Sequence, residues 1–122
     1  MTTITDTPQE YRKTTLPNGL RVVACEMPHT RSVSISIFIG VGSRYEEGEE
    51  AGLSHFLEHL LFKGTKNRPD PVQISGAIEG TGGTLNAGTE QELTVYWCKV
   101  AQPHFDESLD LLVDMLRNSL FE

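Results

Sequence analysis

Ser32-Val33-Ser34-Ile35-Ser36-Ile37-Phe38-Ile39 is the stretch on which the rest of the chain hangs. Small polar and apolar residues alternate with period two, which sends Val33, Ile35, Ile37 and Ile39 to one face of an extended strand. One face is buried and the other is open or lightly covered. Upstream, Thr14-Thr15-Leu16, the turn formers Pro17-Asn18-Gly19 and then Leu20-Arg21-Val22-Val23-Ala24-Cys25 have the pattern of a β-hairpin, set off by a break at Met27-Pro28-His29-Thr30. Downstream, Gly40-Val41-Gly42 ends the strand. The loop over 43–50 carries Glu46, Glu47, Glu49 and Glu50, which suit the positive N-terminal end of a following helix and need no ligand to explain them.

That helix is predicted over 51–62, with Leu53, Phe56, Leu57, Leu60 and Leu61 as its apolar set and Lys63-Gly64-Thr65 closing it. Asp70 as N-cap and Pro71 at the first helical position open a second helix that runs through Val72, Ile74 and Ile78 to Glu79. Gly80-Thr81-Gly82-Gly83 breaks it, and no lysine follows at the offset a phosphate loop requires. Strands are predicted over 84–87 and 92–100. From His104 the period becomes helical, with Phe105, Leu109, Leu112, Leu116 and Leu120 as one stripe, widened by Val113, and Asp106, Glu107, Asp110 and Asp114 elsewhere on the helix. The order β-β-β-α-α-β-β-α predicts an α+β fold, a largely antiparallel sheet with helices packed on one face. Residues 1–13 read as a flexible N-terminus and 14–122 as one folded unit.

At 122 residues the chain supports one core. Ten Lys and Arg against 17 Asp and Glu give a net charge of −7, which disfavours nucleic acid and anionic lipid as partners. No apolar run approaches the roughly 18 residues of a membrane span, and the first residues lack the basic and apolar segments of a leader. A cytoplasmic protein is therefore expected. Cys25 and Cys98 are far apart and in no metal or redox spacing, so reduced thiols are expected.

His55-Phe56-Leu57-Glu58-His59 is the constellation that carries chemistry. Positions i, i+3 and i+4 share a helix face, so His55, Glu58 and His59 can point at one spot. Two imidazoles one turn apart can bind one Zn²⁺, and Glu58 is then placed to hold and deprotonate a metal-bound water. The alternative is a hydrogen-bonded polar cluster, which has three polar groups to satisfy on an otherwise apolar helix. His29 and His104 have no such company and read as solvated or capping residues.

The segment from Ala51 through His55, Glu58 and His59 to Thr65 resembles the active-site helix of the inverted-zincin peptidases of the pitrilysin, insulysin and mitochondrial-processing-peptidase family, peptidase family M16. Leu16-Pro17-Asn18-Gly19-Leu20-Arg21-Val22 is similar to that family's first hairpin. Gly40-Val41-Gly42-Ser43-Arg44 is similar to its strand-to-helix loop, and Leu85-Asn86-Ala87 with Thr89, Glu92, Thr94 and Tyr96 to its substrate-side strand. The resemblance runs from about Thr14 to Glu122. It implies His55 and His59 as zinc ligands, Glu58 as general base, and Asn86 and Ala87 on an edge strand that pairs with an extended substrate backbone. For Asn86 a turn or bulge role beside glycines stays open.

The activity so implied is zinc-dependent endopeptidase cleavage of extended or unfolded peptides. A catalytic zinc normally has three protein ligands. In the family the third is a glutamate on a later helix, which places it beyond residue 122, and a second homologous half or partner subunit supplies further substrate contacts. Neither Glu92 nor Glu122 is assigned as a ligand. The expectation is thus the N-terminal part of a longer peptidase, with the 122 residues alone a poor catalyst. The other expectation is a noncatalytic fragment or partner subunit that lacks the third ligand.

Overall fold

A computed structural model describes residues 11–121. It divides into two compact units, 1–31 and 32–122, of which the described parts are taken in turn. In the first, β1 (Tyr11–Thr15) and β2 (Arg21–Cys25) form an antiparallel pair with Tyr11 opposite Cys25 and Thr15 opposite Arg21. The turn closes through the Leu16 N–H to Leu20 C=O bond at 2.8 Å and the Leu20 N–H to Asn18 Oδ1 bond at 3.0 Å. Residues 1–10 of the expected flexible N-terminus lie outside the described residues. Tyr11–Lys13, also assigned to it, are strand, because the register set by the turn carries three residues past Thr14.

In the second unit β3 (Ser32–Ile39), β4 (Thr84–Thr89) and β5 (Thr94–Ala101) make an antiparallel sheet in the order β3-β5-β4. Ile35 and Leu85 both face Cys98, and Ile37 and Ala87 both face Tyr96, so the period-two pattern of β3 is matched across the sheet. This face carries the core: Tyr96, Cys98 and Val100 of β5 pack with Leu61, Ile74, Ile78, Leu111, Leu112 and Met115. Those six come from α1 (Leu53–Leu61), α2 (Pro71–Glu79) and α3 (Phe105–Arg117). The fold is α+β, with an antiparallel sheet and helices on one of its faces.

Local sequence explains where the helices start. Asp70 Oδ1 accepts the Val72 N–H at 2.9 Å, and Gln73 Oε1 accepts the Asp70 N–H at 3.0 Å, so α2 begins at the expected cap. Two helix faces differ from the expected ones. α3 buries Ser108, Leu111, Leu112 and Met115, whereas Phe105, Leu109 and Val113 are exposed. The small Ser108 side chain lets this neighbouring face approach the sheet, and Leu112 is the one fully buried member of the predicted stripe. α1 buries Ser54, Glu58 and Leu61 at i, i+4 and i+7 against β4, leaving Leu53, Phe56 and Leu57 exposed.

Both cysteines are free thiols; burial of Cys98 pushes its thiol pKa up, partly offset by a backbone hydrogen bond with Ile35. His29 is exposed, and His104 occupies the N-cap position of α3 without a side-chain cap bond. No helix among the described residues is long and apolar enough to cross a membrane.

Candidate metal centre

α1 reaches the site with its charged and imidazole residues on adjacent strips. Its N-terminal end is fixed by the acidic loop: Glu46 Oε1 accepts the Gly52 N–H at 2.7 Å, where a carboxylate also faces the positive end of the helix. The loop is held in turn by the Arg44 N–H to Gln91 C=O bond at 2.8 Å and by an Arg44–Glu92 ion pair. Gly42 is required here, because a Cβ would collide with the carbonyl oxygens of Glu90 and Gln91.

One turn apart, His55 and His59 are both exposed, with ring centroids 4.5 Å and Nε2 atoms 2.9 Å apart. Two ring nitrogens this close cannot both present lone pairs without repulsion; a shared proton or a cation between them relieves it. Two nitrogens bonded to one tetrahedral zinc are about 3.3 Å apart, so chelation needs a shift of under about half an ångström. The pair fits a metal as two of its ligands. Among the described residues no group of three or more His, Cys, Asp or Glu is placed to hold one.

Glu58 lies on the buried side of the same turn, 9% exposed, and its Oε2 accepts a hydrogen bond from the Thr89 hydroxyl of β4. Tyr96, beside it on β5, has its phenol pushed up to about 12, first by burial and then by the negative charge of Glu58. A cavity of about 310 Å³ opens next to His55, walled in part by Ser43, Glu46, Thr89 and Gln91.

On β4, Asn86 is paired with Trp97 and Ala87 with Tyr96 in unbroken register, so Asn86 is not a bulge residue. Asn86 is exposed on the face away from the helices and its Oδ1 accepts the Ala87 N–H at 2.8 Å, while Ala87 points to the core side. Glu92, not assigned as a ligand, is taken up by Arg44. Thr89 was legible only as part of the resemblance. Its partnership with Glu58 spans 31 positions, and no spacing rule reaches that far.

Fold and donor set together define a class: an α+β chain that offers two imidazoles and a buried carboxylate from one helix turn beside a strand. Residues 21–122 match the family described as Insulinase (Peptidase family M16). An uncharacterized zinc protease of Rickettsia felis is 42% identical over 93% of the chain and 27% of its own length. Mitochondrial-processing peptidase subunit beta of Dictyostelium discoideum is 43% identical over 93% of the chain and 24% of its own. The crystal structure of a protease from Helicobacter pylori superposes with a TM-score of 0.85 at 32% identity, covering 92% of this chain and 27% of that one. The chain belongs to the insulinase family, peptidase family M16, a family in which its relatives are named zinc proteases. It spans about a quarter of the length of these relatives.

Proposed function

We propose that the chain is the N-terminal part of a zinc-dependent metalloendopeptidase that hydrolyses extended or unfolded peptides. The observation that carries the reading is the approach of His55 Nε2 and His59 Nε2 to 2.9 Å, one residue from the buried carboxylate of Glu58. His55 and His59 hold the metal, and a third ligand comes from outside the described residues. The chemistry zinc supplies in such a place is Lewis-acid activation of water and of the peptide carbonyl. Glu58 takes the proton of the attacking water on its carboxylate and returns it to the leaving amine nitrogen. Thr89 orients that carboxylate through its hydroxyl. The substrate backbone adds as a strand along β4 at Asn86 and Ala87, which favours chains not already folded.

The likeness to a subunit named beta supports a second subunit, or a second homologous half, as the source of further substrate contacts. We assign no nucleic-acid or membrane partner, and place the protein in the cytoplasm. Zinc-dependent cleavage of an unstructured peptide by the full-length protein of which this chain is proposed to be the N-terminal part, lost in Glu58→Gln, is the expected result. Cleavage that is indifferent to zinc or to Glu58 sinks the proposal, and no cleavage at all leaves the noncatalytic reading.

A further inference from the structure

We propose that the buried Asp114 cluster positions α1, and with it His55 and His59, for metal binding; the metal part rests on the zinc reading above. α1 is lightly held by apolar contact. Leu61 is its one buried hydrophobic residue, Leu60 is half-buried, the rest of its buried face is Ser54 and Glu58, and Leu53, Phe56 and Leu57 are exposed. A nine-residue helix has little stability of its own and takes its orientation from what fixes its ends.

The C-terminal end is fixed by polar contacts. Beyond Leu61 come Phe62, Lys63 and Gly64, and then Thr65, which is wholly buried. Gly64 has φ +142°, and a Cβ there would meet the Pro69 carbonyl oxygen at 2.5 Å, so only glycine makes this turn. The Thr65 hydroxyl donates to Asp114 Oδ2 at 2.6 Å and accepts the Arg68 N–H at 2.9 Å. The Arg68 guanidinium donates to the same Asp114 oxygen at 2.7 Å. Asn67 and Asn118 each donate to Asp114 Oδ1 at 2.9 Å.

Backbone pairing follows the same line. The Lys66 N–H donates to Asn118 C=O at 3.0 Å, the Leu120 N–H donates to Gly64 C=O at 3.1 Å, and Thr65 bridges Ser119. Residues 64–68 are thereby fastened to the C-terminal end of α3, and α3 is anchored in the core by Leu111, Leu112 and Met115. His59 sits in the last turn of α1 and its carbonyl accepts the Phe62 N–H at 3.2 Å, so it is the candidate ligand nearest the fastening along the chain. Releasing Asp114 loosens that turn and separates the two Nε2 atoms. Asp114 is a positioning residue, acting through 62–65.

Amide hydrogen exchange and equilibrium zinc binding, measured on the purified protein and on Asp114→Asn, test this. Asn67→Ala, which removes one of the four side-chain donors, is the milder variant and decides the matter if Asp114→Asn does not fold. In the variants, amides of α1 are expected to exchange about tenfold or more faster than any acceleration that α2 and β5 share through the loss of global stability. The zinc dissociation constant is expected to rise about tenfold or more, less for Asn67→Ala. Equal acceleration across α1, α2 and β5 overturns the proposal, since the cluster then only stabilises the whole. Zinc affinity unchanged by both variants in a protein that takes up zinc also overturns it. Failure of the parent protein to take up zinc instead overturns the underlying zinc reading, and the metal part of this proposal with it.

Discussion

Glu58 and Asp114 are both buried carboxylates, 9% and 4% exposed, yet their surroundings are opposite in kind. Asp114 receives four side-chain donors, from Thr65, Asn67, Arg68 and Asn118. Burial alone raises its pKa, but the hydrogen bonds outweigh it and hold the carboxyl at about 2. Glu58 receives one side-chain donor, from Thr89, among the described residues, and belongs to the same helix turn as two exposed imidazoles. A carboxylate saturated with donors is locked in its ionised form and suits a fastening. One with lone pairs to spare beside a candidate metal pair suits proton transfer.

The largest expected effect separates the two by activity. Glu58→Gln keeps the side chain's shape, and peptide cleavage is expected to fall about 10²–10⁴-fold with zinc affinity and stability nearly unchanged. A matching loss of stability in urea denaturation breaks the contrast. Asp114→Ala is expected to act first on stability, lowering unfolding free energy by about 3 kcal/mol because the wholly buried Thr65 hydroxyl loses its acceptor and the half-buried Arg68 keeps only its exposed partner Asp110. Denaturation of the two variants side by side measures this.

Acid sharpens the same contrast. With its folded pKa depressed, Asp114 contributes stability that is fully present above the ordinary carboxylate value of 3.8 and is lost as pH falls through about 2. The stability gap between the parent and Asp114→Asn is therefore expected to be constant from pH 8 to about pH 5 and to shrink toward pH 2. Denaturation midpoints across that range check it.

Smaller still is Thr89→Val, expected to reduce cleavage by about tenfold, equivalent to one hydrogen bond to a charged group, with Tm close to the parent's. Arg44→Ala is expected to cost under about 1 kcal/mol, since its ion pair with Glu92 is largely exposed and screened by solvent. A larger loss there shifts weight from the two buried carboxylates to the loop.

The same contrast explains what was legible in the sequence. The approach of His55 and His59 was legible because a helix turns a spacing of four into adjacency, and β3 was legible because a strand turns spacing of two into a face. Asp114 was read as lying outside the α3 stripe, because its partners Thr65 and Arg68 are 49 and 46 positions away. Apolar periodicity sees neighbours along one element and is blind to a polar contact made by the fold. The shift of the α3 face to Ser108, Leu111, Leu112 and Met115 has the same origin. Adjacent faces of that helix are both apolar, and the choice between them is made by what the sheet can accommodate.

The account turns on whether the imidazole pair binds metal, and zinc titration of the full-length protein beside its His55→Ala and His59→Ala variants measures that directly. Tight zinc uptake by the parent and a loss of about a hundredfold or more in affinity in each variant is the predicted result. Equal zinc affinity in all three proteins contradicts it and makes His55 and His59 a hydrogen-bonded surface pair.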